Sequence, residues 1–222
     1  MNNTEVFYNS PNYPPLEVYE KLYARFFKRD VGELFSGIDV KDKTVLDLCC
    51  GNGRASFKAL ELGAKNIIAV DGVAHMISEK LCDNPKIGYS ISSVEMFLHY
   101  ARFKWDIVVC QQAINYWFNN INLKDLVNVI MPGGVFIFNT FNRIPSTKPT
   151  VKSYQLNGHD YVEVSYLVDG KVHHFQSMDG CEPHLTTFDW ISPDLFVHKL
   201  DEYFKWQVLH LNSTSIWQCF RK

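Results

Sequence analysis

The stretch Val45-Leu46-Asp47-Leu48-Cys49-Cys50-Gly51-Asn52-Gly53-Arg54-Ala55 constrains the fold more than any other part of the chain. An apolar run of strand length ends in a turn with two glycines, and a helix-forming segment follows at once. Glycine at such a turn adopts dihedrals closed to other residues and lets the backbone pass close to a ligand. Strand, turn and helix in that order are the opening unit of an α/β fold, and the following hundred or so residues keep its rhythm. Strands are expected at Thr44–Cys49, Ile67–Val70, about Ile87–Ile91, Trp105–Cys110 and Val135–Phe141, the last after the turn Pro132-Gly133-Gly134. Helices are expected at Arg54–Leu62, Ala74–Leu81, Ser93–Arg102 and Leu123–Ile130. Five strands separated by helices predict a mainly parallel, doubly wound sheet with helices on both faces. Ahead of it, Leu16, Tyr19, Tyr23, Phe26 and Phe27 stand at helical spacing behind Pro14-Pro15, which predicts an N-terminal helix.

After Asn142 the rhythm changes. Tyr161–Val168 and Lys171–Met178 flank Asp169-Gly170, a type I′ turn pair, so two antiparallel strands of a β-hairpin are expected. Pairing Val168 with Lys171 puts Val162, Val164, Tyr166, His173 and Phe175 on one face, expected to be core. Tyr161, Glu163, Ser165, His174 and Gln176 fall on the other, expected to be polar. Ser192-Pro193-Asp194 then caps a helix running to about Tyr203, and Trp206–Leu211 and Ser215–Phe220 read as two closing strands. At 222 residues, with 46% hydrophobic and 21% charged, the chain suits one elaborated domain. Its expected parts are an N-terminal cap (1–38), a cofactor-binding core (40–142), a hairpin insertion (143–191) and a closing helix and strand pair (192–222).

Several classes are disfavoured. The net charge is −2 and no basic block occurs, so a nucleic-acid partner is not expected. The first residues, Met1-Asn2-Asn3-Thr4-Glu5, are polar and acidic, and no run approaches 18 apolar residues, so no membrane partner and a cytoplasmic location are expected. The six cysteines are scattered without a C-x-x-C pair, and are read as reduced thiols in apolar surroundings with no metal.

The chemistry begins at the glycine turn. Asp71 ends the second strand 20 residues after Gly51, the place for an acid that accepts hydrogen bonds from ribose hydroxyls. Together they indicate an adenosine-containing cofactor. Gly51-Asn52-Gly53-Arg54-Ala55-Ser56 comes near the dinucleotide fingerprint but lacks its third glycine. Asp47, at the mouth of the first strand, would repel a pyrophosphate and suits a ligand with an ammonium and a sulfonium, as in S-adenosylmethionine.

Leu46-Asp47-Leu48-Cys49-Cys50-Gly51-Asn52-Gly53 resembles the first motif of the class I S-adenosylmethionine-dependent methyltransferases. Val70-Asp71-Gly72 with Met76-Ile77 resembles their second-strand motif, Trp105–Gln111 the fourth-strand segment, and Met131–Phe136 the turn into strand five. The resemblance implies a seven-stranded sheet whose last strand is antiparallel, with S-adenosyl-L-methionine held by Asp47, Cys49, Cys50, Gly51, Gly53, Asp71, Gly72, Met76 and Gln111. Cys49 replaces the first glycine of the motif, and Ser93 stands where an acid usually meets the adenine amine, so Val94 or Glu95 is placed near that ring. The resemblance also implies an N-terminal lid carrying Tyr8 and Tyr13.

Gln111, Gln112, Asn115 and Tyr116 follow strand four and Asn139–Asn142 ends strand five, both at the carboxyl edge where ligands of such sheets bind. Tyr13, Tyr116 and His174 are the candidate catalytic groups. Neither an Asn/Asp-Pro-Pro-Tyr segment after strand four nor a Pro-Cys nucleophile occurs, which leaves transfer to nitrogen or oxygen of a small-molecule acceptor. Such a transfer is a direct in-line displacement in which alignment supplies most of the rate, so a strong base is not required. The hairpin is similar to inserted β elements of sugar-amine and glycine-type N-methyltransferases, which roof the acceptor site or pair subunits in a homodimer. A nicotinamide-dependent oxidoreductase and a non-catalytic S-adenosylmethionine-binding module are the alternatives.

Overall fold

The computed structural model describes residues 31–141, 144–156, 158–179, 183–211 and 214–222. In chain order the strands are β1 (Thr44–Leu48), β2 (Asn66–Asp71), β3 (Ile87–Ile91), β4 (Trp105–Cys110), β5 (Ile130–Phe141), β6 (Thr150–Leu156), β7 (His159–Val168), β8 (Lys171–Met178), β9 (His184–Asp189), β10 (Phe204–His210) and β11 (Thr214–Arg221). The helices are α1 (Arg54–Glu61), α2 (Glu79–Cys82), α3 (Val94–Tyr100), α4 (Ile114–Trp117), α5 (Leu123–Asn128) and α6 (Pro193–Leu200), with a 3₁₀ turn at Ala74–Met76. The chain divides into two compact units, one holding β6 to β9 and the other the remaining elements.

The larger unit is a seven-stranded sheet of order β10-β11-β5-β4-β1-β2-β3. Strands β1 to β5 pair in parallel, and β11 enters antiparallel between β5 and β10. Alternation along β1 feeds two cores: Leu46 and Leu48 face one side of the sheet, and Val45 the other. On the first side Phe136, Phe138, Phe196 and Trp217 form an aromatic cluster in which Phe138 and Trp217 stack with centroids 5.8 Å apart. Burial of each of these large rings is worth about 1.5–3 kcal/mol, enough to pin α6 and β11 to the sheet. On the second side Ala55 and Ala59 of α1 pack over Ala69, Val109 and Ile137, small residues that bring helix and sheet close.

Two boundaries differ from expectation. The span Ala74–Leu81 is not one helix, because Ile77 (φ −79°, ψ 112°) and Ser78 (φ −70°, ψ 148°) are extended and separate the 3₁₀ turn from α2. Strand β5 starts at Ile130 rather than Val135: Trp105 pairs with Ile130 and Ile107 with Val135, so the Pro-Gly-Gly segment is a bulge within the strand. A Cβ on Gly134 would lie 2.8 Å from the Asp106 carbonyl oxygen, which explains that glycine.

The smaller unit is a four-stranded antiparallel sheet, β6-β7-β8-β9, larger than the two-stranded hairpin expected. The turn holds as read: Val168 pairs with Lys171, and Asp169 (φ 50°) and Gly170 (φ 74°) are left-handed. The faces are the reverse of expectation. Tyr161, Gln176 and Thr186 are buried together with Val172, whereas Val162, Val164, Tyr166, His173 and Phe175 are half-buried. The buried polar groups satisfy one another, which is what permits their burial: the Gln176 amide donates to the Tyr161 hydroxyl at 2.5 Å, and the Thr186 hydroxyl donates to the His174 carbonyl at 3.2 Å.

Candidate functional site

The turn after β1 is built by backbone that only certain residues tolerate. Cys49 (φ 55°), Gly51 (φ 51°) and Gly53 (φ 85°) all lie in the left-handed region. The first demand is met by a cysteine at the expense of Cβ crowding. The two glycines serve different ends. A Cβ on Gly53 would stand 2.4 Å from Leu81 Cδ1 and 3.2 Å from Phe57 Cε2, so packing as well as left-handed backbone calls for glycine at this position. A Cβ on Gly51 would meet none of the described residues within 4 Å, so that side of its backbone is open.

Two carboxylates brace this turn. Asp71, at the end of β2, accepts the Gly51 amide at 2.8 Å through Oδ2 and the Val73 amide at 2.9 Å through Oδ1. Asp47, in β1, is 1% exposed and its Oδ2 accepts both the amide (3.0 Å) and the hydroxyl (2.6 Å) of Ser56. Gly53, the residue before α1, offers no side-chain cap, so Asp47 supplies the missing acceptor for one free amide of the helix from the neighbouring strand. Its second oxygen, Oδ1, is buried with no hydrogen-bond partner among the described residues. Burial pushes the Asp47 carboxyl up to about 7, opposed by the two Ser56 bonds and reinforced by the charge of Asp71. A buried acceptor that lacks a donor is the feature a cationic ligand would complete.

The surroundings of Cys49 and Cys50 disfavour the thiolate. Contact with the Cys110 thiol and burial push the Cys49 thiol up, and burial does the same for Cys50. Cys82 departs from the expectation that every cysteine is packed away, since it lies exposed at the end of α2. Cys181 lies outside the described residues, as do Tyr8 and Tyr13.

The remaining candidates are distributed over the strand ends. Gly72 and Met76 follow β2, with Met76 buried. Val94 opens α3 and is buried, while Glu95 beside it lines a cavity of about 250 Å³ with His99, Asn120 and Asp125. Gln111 follows β4, and its Nε2 is a buried donor without a partner. Tyr116, in α4, is half-buried against the aromatic core. His174 belongs to the four-stranded sheet, where its Nε2 lies 3.7 Å from Glu163 Oε1.

Two hydrogen bonds help to shape this edge. Gln112 is left-handed (φ 58°), and its amide donates to Asn139 Oδ1 at 2.6 Å, so β5 fixes the turn out of β4. The Thr140 hydroxyl donates to Asn115 Oδ1 at 3.2 Å and ties α4 to the same strand. Ser56 was not visible as a site residue in the sequence, where it marks only the place of an absent glycine.

A family model described as a methyltransferase domain matches residues 39–176, more than half of the chain. The chain belongs to this family. The resemblance carried by the four strand-end motifs holds at the level of this family, and the fold is shared with solved S-adenosylmethionine-dependent methyltransferases. A solved S-adenosylmethionine-bound amino pentose methyltransferase from Micromonospora echinaspora, involved in calicheamicin biosynthesis, has the same fold at a TM-score of 0.68 and 12% identity, over 92% of this chain and 97% of that one. An S-adenosylmethionine-dependent methyltransferase from Clostridium acetobutylicum matches at 0.65 and 18% identity, over 91% and 97%. Among curated proteins, a ribosomal protein L11 methyltransferase of Colwellia psychrerythraea is 37% identical over 75 residues, 33% of this methyltransferase and only 25% of that relative's length. The nicotinamide and non-catalytic alternatives give way to the family match. Among the described residues no helix is long and apolar enough to cross a membrane, and no group of three or more His, Cys, Asp or Glu side chains is arranged to hold a metal.

Proposed function

We propose that this methyltransferase moves the methyl group of S-adenosyl-L-methionine to a nitrogen or oxygen of a small-molecule acceptor by direct displacement. The observation that carries the reading is Asp47: a buried carboxylate with one unpartnered oxygen at the mouth of β1, beside a glycine turn held open by Asp71. That arrangement suits the ammonium end of the cofactor, with Asp71 and Gly72 toward the ribose, Met76, Val94 and Glu95 toward the adenine, and Cys49, Cys50, Gly51, Gly53 and Gln111 along the methionine portion. The attacking atom displaces S-adenosylhomocysteine, and its proton passes to water or to Tyr13, Tyr116 or His174, weak bases that suffice when alignment does most of the work. Tyr8 and Tyr13 belong to an N-terminal lid in this reading, and the whole chain acts as one domain in the cytoplasm, with a homodimer as its assembly.

Support for a small acceptor comes from the amino pentose methyltransferase, whose fold covers nearly all of this chain, including the four-stranded sheet's share of the length. The protein-methylating relative overlaps only a third of the chain. The test is release of S-adenosylhomocysteine across a panel of amino sugars, small amines, phenols and carboxylates, run beside ribosomal protein L11. Turnover on L11 with silence across the small molecules would reverse the proposal.

A further inference from the structure

We propose that Ser56 is a positioning residue whose paired hydrogen bonds to one oxygen of Asp47 present the other oxygen to the ammonium of the cofactor, so that cofactor uptake expels a proton. This rests on the reading that the turn after β1 holds the cofactor. The geometry has three parts. Ser56 donates its amide and its hydroxyl to the same atom, Oδ2, which fixes the carboxylate plane. Oδ1 is buried and unpartnered, so an incoming donor is its remaining means of satisfaction. The carboxylate sits at the first turn of α1, where the free amides and the helix dipole favour its ionised form, but only as far as burial allows.

Among the described residues, the groups that face Asp47 include no cation to hold that charge. From α1 comes the neutral Ser56, from β2 the like-charged Asp71, and from the turn the Cys50 thiol; the paired positions on β2 and β4 are Ala69 and Val109. Burial therefore keeps a large fraction of Asp47 protonated at and below pH 7. A ligand ammonium binds the ionised form, and the displaced proton goes to the buffer. Linkage then requires that affinity fall about tenfold for each pH unit below the midpoint, while above it affinity is level.

The probe is S-adenosylhomocysteine, titrated calorimetrically between pH 5.5 and 8 in two buffers of different ionisation enthalpy, with 5′-methylthioadenosine, which lacks the amino-acid end, as control. The wild-type protein is expected to release about one proton per S-adenosylhomocysteine at pH 6 and none with 5′-methylthioadenosine. Ser56→Ala removes a hydrogen bond to the charged form, so its midpoint should move up by about one pH unit, with about fivefold weaker binding near pH 7, about tenfold at pH 6 and below, and recovery above pH 8. Ser56→Thr, which keeps the hydroxyl, should follow the wild type. Binding with no proton release and no pH limb overturns the inference alone. So does a Ser56→Ala protein that loses affinity equally at every pH, the mark of a structural role. Absence of binding at pH 8 overturns the cofactor assignment of the turn and this inference with it. Should Ser56→Ala fail to fold, the wild-type proton count still decides.

Discussion

Replacing Gly53 by alanine separates packing from ligand approach in the glycine turn. The residue has φ 85° and ψ 22°, a left-handed conformation that costs an L-residue about 1–2 kcal/mol. The added methyl would also meet Leu81 Cδ1 at 2.4 Å, and Leu81 is fully buried, so its side chain cannot swing into solvent. Overpacking of this kind costs about 1–3 kcal/mol, giving a total of about 2–5 kcal/mol. For a protein of this size each kcal/mol lowers Tm by about 2–4 °C, so Gly53→Ala should melt roughly 4–20 °C lower. Gly51→Ala has the dihedral cost without the clash and should lose about 1–2 kcal/mol. The decisive experiment is a double-mutant cycle with Leu81→Ala, followed by calorimetric or denaturant unfolding. Truncating Leu81 makes room for the new methyl, so the double variant should be more stable than the sum of its parts by about 1–3 kcal/mol. Strict additivity, or a Gly51→Ala protein as unstable as Gly53→Ala, would refute the packing explanation for Gly53.

Three further outcomes are expected. Asp71→Ala should weaken S-adenosylhomocysteine binding by about 1.5–3 kcal/mol in a calorimetric titration and also lower Tm, because both carboxylate oxygens hold backbone amides of the turn. Asp47 carries a folded-state carboxyl raised to about 7 from an ordinary value of 3.8, so its contribution to stability is present at low pH and is lost as pH rises through that window; Asp47→Asn should therefore gain Tm relative to wild type between pH 4 and 7, with a constant difference above. Removal of residues 1–14 should lower turnover far more than Tm, and equal turnover in the truncated protein would remove Tyr8 and Tyr13 from the site.

The parts of the fold fixed by local chemistry were legible in the sequence. Glycines and a strand-end acid located the turn after β1, and Asp169-Gly170 gave the register of β7 and β8, because each depends on dihedrals that few residues adopt. The flanking strands β6 and β9 were not, since Thr150–Leu156 and His184–Asp189 mix polar and apolar residues without strong alternation and gain their pairing from the sheet. The buried face of that sheet was misread for a related reason. Val162, Val164 and Phe175 outrank Gln176 and Thr186 in hydrophobicity, and the hydrogen bonds that allow the polar pair to be buried do not show in one sequence. In the site, Asp47 and Asp71 could be named from position alone, whereas Ser56 and Asn139 act through partners 9 and 27 residues away, a relation that one sequence does not display.

The position of β11 sets an order on synthesis. It lies between β5 and β10, yet it is the latest made of the described strands, its first residue following the end of β5 by 73 positions. At about 5–20 residues per second a ribosome takes roughly 4–15 s to cross that gap, and during this time the long edge of β5 has no neighbour and β10 has no sheet to join. An open edge of buried strand residues such as Ile137 and Phe138 is a template for association with another chain. Nascent or truncated chains lacking β11 should therefore be the species that chaperones hold and that aggregate first, wherever between the end of β5 and Thr214 translation stalls.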